Sequence, residues 1–319
     1  MEKVIYFDDI SDNLKKLILE RVPSEIALYF WNELTDKQKE QEISQADYFM
    51  LTAYKIDKKI LQSAKRLKFI QKIGIGLDNI DLETAKNLSV PVSNTPGGNS
   101  TSVSELTILF ILALYRRLVE LDRATKDGKW LSWEFRSSSY EMLGKTHGLI
   151  GMGNIGYETA KRSSAFGTKI VYYDTRRLSV DKEKELNAKY TSLEEVLKVS
   201  DIISLHVPLL PETKGLINMS NIIKMKKNAI LINVARGGVV NEKDLYYSLK
   251  DRLILGAAID AWEEEPIPLD NPLLTLDNVI STPHIGGGTV DTFNRVIEMA
   301  FDNINRVRSG ELPKYVGNN

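Results

Sequence analysis

Cysteine is absent from the 319-residue chain. That excludes a disulfide framework, a thiolate nucleophile and a cysteine-ligated metal. Excess charge is absent too, since 42 Lys and Arg face 43 Asp and Glu, so there is no basic stripe for nucleic acid to bind. No run of ~18 uncharged apolar residues occurs, which argues against a membrane span. The opening Met1-Glu2-Lys3-Val4-Ile5 reads directly into a strand and lacks the apolar segment of a signal peptide, so the expected location is cytoplasmic. Histidine occurs only at positions 147, 206 and 284. Imidazole chemistry near neutral pH therefore has three candidates, His147, His206 and His284.

What is present is a regular alternation of short apolar runs with amphipathic patterns, the signature of βαβ units and parallel sheets. At ~100–200 residues per domain the length suggests two domains. In the first, strands are expected at 3–7, 26–30, 47–51, 69–73 and 90–93, with helices such as 11–21 and 57–64, ending at the breaker Pro96-Gly97-Gly98. A single long helix is expected from 99 to 125, started by Ser102 or Ser104 with Glu105. Strands follow at 146–151, 169–174, 201–207, 229–234, 255–260 and 278–281, then a last helix over 290–308. The Lys- and Glu-rich segment 181–200 reads as a solvated helix face.

Gly151-Met152-Gly153-Asn154-Ile155-Gly156 is a G-x-G-x-x-G between a strand and a helix. Gly151 suits the tight turn, Gly153 the approach of a pyrophosphate, and Gly156 close packing of helix on strand. Asp174 ends the next strand eighteen positions after Gly156, near the ~20 expected of a carboxylate that accepts from the adenosine ribose. It favours NAD over NADP, while Arg176 and Arg177 soften that preference.

Ligands of open parallel sheets bind beyond the carboxyl ends of the strands. Those ends carry Arg236-Gly237-Gly238, Asp260 followed by Glu263-Glu264-Glu265-Pro266, and Pro283-His284. An arginine that forks onto a carboxylate, a histidine that exchanges a proton, and an acid that raises its pKa suit reduction of a 2-oxo acid. Composition leaves the three glutamates equivalent. Gly237-Gly238 is expected to turn the backbone toward a ligand. His147 is expected to be a buried or edge histidine bonded to backbone, and His206 to line the cofactor cleft. Asp260 is either a strand-end cap or a nicotinamide-side contact, and Arg236 could instead pair with it. Lys72 is either an exposed strand-end lysine or a contact for an anionic substrate tail. Trp130, Trp133 and Phe135 suit interdomain or dimer packing.

With these motifs in hand, Thr146–Gly156, Asn233–Gly238, Ala258–Pro266 and Thr282–Gly287 resemble the NAD-dependent D-isomer-specific 2-hydroxyacid dehydrogenases. Gly74-Ile75-Gly76-Leu77-Asp78-Asn79 and Asn94-Thr95-Pro96-Gly97-Gly98-Asn99 extend the likeness to the first part of the chain. The resemblance implies an α/β fold of two Rossmann-like or flavodoxin-like domains with parallel sheets. Residues 1–98 and 287–319 would form a discontinuous substrate domain and 99–286 the NAD-binding domain. It also implies Arg236 as substrate arginine, Glu265 as the acid paired with the histidine, and His284 as acid/base. The Ile75 and Gly76 backbone would meet the substrate carboxylate. Asn154, Ile155, Asp174, Val207, Val234 and Asp260 would surround NAD, with His206, Pro208, Ala235 and Gly286 beside them.

A homodimer built on the long helix, and closure of the domains on a small 2-oxo or 2-hydroxy acid, are further expectations of the family. Two alternatives stand beside it, an NAD-sensing protein like the corepressors of this fold and a phosphite dehydrogenase. A formate dehydrogenase is disfavoured, because such enzymes place glutamine where Glu265 stands. The chain also lacks the C-terminal regulatory domain of many phosphoglycerate dehydrogenases, so serine feedback is not expected.

Overall fold

Strands covered on both faces read as unbroken apolar runs, and Val4-Ile5-Tyr6, fully buried, is the first of them. The computed structural model describes residues 1–318 and separates into two units, Met1–Asn99 with Thr289–Asn319, and Ser100–Gly288. In the first unit β1 (Glu2–Tyr6), β2 (Ile26–Phe30), β3 (Tyr48–Leu51), β4 (Phe69–Lys72) and β5 (Val92–Ser93) form a parallel sheet ordered β2-β1-β3-β4-β5. That is the flavodoxin-like order. The helix Val290–Arg308 belongs to this unit and packs Val296, Ile297, Ala300, Phe301 and Ile304 among Val4, Tyr6, Met50 and Phe69. Thr289 caps it by accepting from the Thr292 amide at 3.1 Å. Where the strand order reverses, between β1 and β3, the Asp8 carboxylate accepts from the amides of Thr52, Ala53 and Tyr54. The chain's own anion thus fills a nest of N–H groups that could otherwise take a ligand.

The second unit holds β6 (Thr146–Ile150), β7 (Lys169–Tyr173), β8 (Ala188–Tyr190), β9 (Ile202–Leu205), β10 (Ile230–Asn233), β11 (Gly256–Ile259) and β12 (Val279–Ser281). Its order is β12-β11-β10-β9-β6-β7-β8, parallel throughout. The reversal falls between β6 and β9, which makes the ends of those strands the ligand crevice of a doubly wound sheet.

Two expectations about elements fail. The long helix is two, Ser100–Tyr115 and Leu118–Lys126. Arg117 breaks it by adopting a left-handed backbone, φ 50°, with its guanidinium bonded to Glu120 at 2.9 Å and lying 4.6 Å from the centre of the Phe135 ring. Ser102 and Ser104 do not cap the first of these helices. Both lie within it, and their hydroxyls donate to the carbonyls of Gly286 and Thr101. The segment 181–200 is no single solvated helix either, because β8 interrupts it. Ala188-Lys189-Tyr190 is a three-residue edge strand, too short and polar to show a period of two.

Candidate active site

The glycine turn sits at the strand-order reversal of the second sheet. Gly151 has φ +97°, and a Cβ there would lie 2.6 Å from the His206 carbonyl oxygen at the end of β9. A Cβ on Gly156 would lie 2.2 Å from the Gly151 oxygen, so helix and turn touch there. Gly153 faces open space and caps the helix Asn154–Ala165 without a side-chain acceptor. Its first N–H groups are therefore left for an anion, which the helix dipole favours. Asp174 follows β7 and accepts from the Met152 amide at 2.6 Å and the Arg176 amide at 2.8 Å. This cradle fits a dinucleotide: backbone donors for the pyrophosphate and a carboxylate for the ribose.

Three other strand ends assemble the candidate chemistry. Arg236 follows β10, and its Nη1 donates to the Ala235 carbonyl at 2.8 Å. Glu265 lies in the loop after β11 and His284 in the loop after β12. His284 Nδ1 meets both Glu265 oxygens, at 3.0 and 2.8 Å. Glu265 Oε1 also accepts from the Trp262 amide at 2.9 Å, and the Trp262 indole donates to the Thr282 carbonyl at 3.0 Å. Trp262, not singled out in the sequence, therefore ties the acid's loop to the histidine's. Its signal, Ala-Trp before the three glutamates, says nothing about which carbonyl the indole reaches.

The hydrogen bond to Glu265 raises the His284 pKa above its ordinary value; burial opposes, and the charges of Glu265 and Asp260 reinforce the rise. Burial pushes the Glu265 carboxyl up. The hydrogen bonds from His284 and the Trp262 amide, with the attraction of His284 and Arg236, outweigh it and leave the carboxyl below its usual range. The pair is about two-fifths exposed on each side. It orients the ring and adds little stability.

His284 has a left-handed backbone, φ 54°, a strain of roughly 1–2 kcal/mol for a residue with a Cβ. Asp260, 1% exposed, holds that conformation. Its oxygens accept from the Thr282 hydroxyl at 2.6 Å and the Ile285 and Gly286 amides at 2.8 Å each. Hydrogen bonds to a charged group contribute about 1.5–3 kcal/mol each, enough to offset the strain. Asp260 thus clamps the histidine loop, as a strand-end cap would. Gly286 is clasped on both sides, its N–H by Asp260 and its carbonyl by the Ser102 hydroxyl at 2.6 Å.

Gly237-Gly238 is a correction. A Cβ on Gly237 would lie 1.9–2.2 Å from the backbone of Trp262 and Glu263, and one on Gly238 would meet Leu209 at 3.2 Å. Close packing of two chain segments, not the approach of a ligand, is what requires glycine here. Lys72 is a second correction. It is 8% exposed, and its ammonium donates to the Thr52 carbonyl and, at 2.8 Å, to Asn79 Oδ1. The reading of Lys72 as an exposed strand-end lysine therefore fails. In the same unit Gly74 pairs with Thr95, and Asn94 Nδ2 donates to the Ile75 carbonyl at 2.7 Å. The amides of Ile75 and Gly76 meet no acceptor among the described residues.

The remaining histidines form a buried chain. His147 bridges the Ser163 and Ser204 hydroxyls at 2.8 Å each, and Ser204 also meets His206 Nε2 at 2.8 Å. His147 is buried as expected, but side-chain hydroxyls take the place of the backbone partner. Burial pushes both rings down to about 3, so both are neutral. His206 Nδ1 is buried without a partner beside the glycine turn. Val207 and Pro208 follow it, and Val234 and Ala235 follow β10, nearly buried. No group of three or more metal-ligating side chains occurs among the described residues, nor is any helix there long and apolar enough to cross a membrane.

Residues 108–286 match the sequence model of a family described as D-isomer specific 2-hydroxyacid dehydrogenase, NAD binding domain. The chain is 37% identical over 301 residues to a glyoxylate reductase of Korarchaeum cryptofilum, covering 92% of this chain and 90% of that one. It is 38% identical over 319 residues to a D-3-phosphoglycerate dehydrogenase of Methanocaldococcus jannaschii, covering all of this chain and 60% of that one. A solved D-isomer specific 2-hydroxyacid dehydrogenase of Lactobacillus delbrueckii ssp. bulgaricus, in NAD complexed form, is 25% identical with a TM-score of 0.84. The match covers 99% of this chain and 100% of that one.

Proposed function

Because the chain belongs to the D-isomer specific 2-hydroxyacid dehydrogenase family, an NAD-dependent group of enzymes, we propose that it interconverts a small 2-oxo acid and its D-2-hydroxy acid through Arg236, Glu265 and His284. The Gly151–Gly156 turn and Asp174 would hold NAD(H), which would supply or accept the hydride when bound. Arg236, permanently charged, forks onto the substrate's carboxylate and C2 oxygen. His284 presents Nδ1 to Glu265 and uses Nε2 to give a proton to the C2 oxygen as charge builds there. In the reverse direction the same nitrogen takes the proton from the hydroxyl. Glu265 keeps the ring oriented and stabilises its protonated form. Trp130 and Trp133, 81% and 72% exposed in the single chain, support a homodimer that covers them.

The observation behind this reading is the two-oxygen contact of Glu265 with His284 Nδ1 at 2.8–3.0 Å. Its test is NADH absorbance with glyoxylate, hydroxypyruvate, pyruvate and 3-phosphohydroxypyruvate, on the wild type and His284→Ala. Loss of a general acid should lower kcat by about 10²–10⁴-fold, with NADH binding retained. Near-normal turnover by the variant would remove the mechanism.

A further inference from the structure

Asp174 is the carboxylate assigned to the adenosine ribose, and three positions on lies Arg177. A free guanidinium so placed is what a 2′-phosphate would seek. In this protein the guanidinium is already engaged. Its Nε and Nη2 donate to the two oxygens of Glu183, each at 2.8 Å, in the bidentate geometry that suits arginine. It also lies 5.5 Å from the centre of the Tyr190 ring. Glu183 is fixed from behind. The Tyr172 hydroxyl donates to it at 2.6 Å and accepts from the Leu178 amide at 3.0 Å, and Tyr172 is itself fully buried on β7. Bonded by Arg177 and Tyr172, the Glu183 carboxyl falls to about 2, so it stays ionised at any ordinary pH.

We propose that Glu183 is a specificity-determining residue that keeps this enzyme on NAD, by holding Arg177 in a closed ion pair and so denying a 2′-phosphate its cationic partner. Asp174 repels that phosphate directly; Glu183 removes the compensation that Arg177 would offer. The two carboxylates act at one place by different means. Arg176 has its amide bonded to Asp174, and its side chain is common to every variant below, so it cancels from the comparison. The proposal rests on the reading that Asp174 faces the ribose.

The test is equilibrium binding of NADH and NADPH to the full chain, read by nucleotide fluorescence, for the wild type, Glu183→Gln, and the double variant Glu183→Gln with Arg177→Ala. Glutamine still accepts from Tyr172 but lacks the charge that holds Arg177. The expected result is an NADPH affinity raised about five- to tenfold in Glu183→Gln, with NADH affinity changed less than twofold. The gain should shrink at 0.5 M salt, as an exposed ion pair requires, and vanish in the double variant. Glu183→Ala should show the same direction should the glutamine variant fold poorly. An NADPH-to-NADH ratio unchanged in both single variants, or a gain that persists without Arg177, would overturn the proposal. Failure of the wild type to bind NADH would instead strike the cofactor reading beneath it.

Discussion

His284 is the one imidazole of the three placed to change charge near neutral pH. Glu265 raises its pKa, whereas burial holds His147 and His206 at about 3. The two shifts have opposite consequences for stability. For His147 and His206 the unfolded chain takes up protons first, so stability falls as pH drops from 6.5 toward 3. The loss approaches about 1.4 kcal/mol per pH unit for each ring. The His284 contribution is present below pH 6.5 and lost as pH rises through its higher folded value. With only three histidines, ¹⁵N-histidine NMR resolves them directly. One ring should titrate above 6.5, and two should stay neutral to the pH at which urea midpoints collapse. Two rings titrating near 6.5 would contradict the buried chain. Arg236 and His284 stand out in the sequence because each closely follows a strand end, whereas only the Glu-Pro match of the family resemblance separates Glu265 from Glu263 and Glu264. The hydroxyl partners of His147 do not stand out, since Ser163 and Ser204 reach it from a helix and another strand.

Loops after strands, more than strands themselves, decide where the chemistry sits. The apolar runs foretold most strands because burial on both faces leaves an unbroken hydrophobic signal. They missed β8, which is short and half polar, and the helix break at Arg117, which rests on one left-handed residue and a ring 18 positions away. Gly237 shows the same limit. Its need for a bare backbone comes from Trp262 and Glu263, 25 and 26 positions downstream. Gly237→Ala would place a methyl about 2 Å from peptide atoms that cannot rotate aside, so the Glu265 loop must move. Melting temperature and kcat/KM should fall together, the latter at least tenfold given the precision that positioning requires. A variant close to wild type in both would show that this contact is not what sets the acid beside the histidine.

The whole chain follows two orders of parallel strands, 2-1-3-4-5 in the first unit and a doubly wound seven-strand order in the second. Both contain a reversal, and at the second one the glycine turn leads into a helix, Asn154–Ala165, that no side chain caps. The first fills its reversal with Asp8, and the residues that match the family's NAD binding domain, 108–286, lie in the second unit. Arg236, Glu265 and His284 stand on the same sheet, after β10, β11 and β12. The central claim is that this sheet delivers a protonated imidazole to the substrate oxygen, kept so by a carboxylate. It is tested most directly by the pH dependence of kcat/KM for NADH-driven glyoxylate reduction, in the wild type and in Glu265→Gln. The wild type should hold its rate up to a pH above 6.5 and decline beyond it, because the donor must be protonated. In Glu265→Gln the decline should move to lower pH, since the largest cause raising the His284 pKa is gone. A decline at the same pH in both enzymes would contradict the claim.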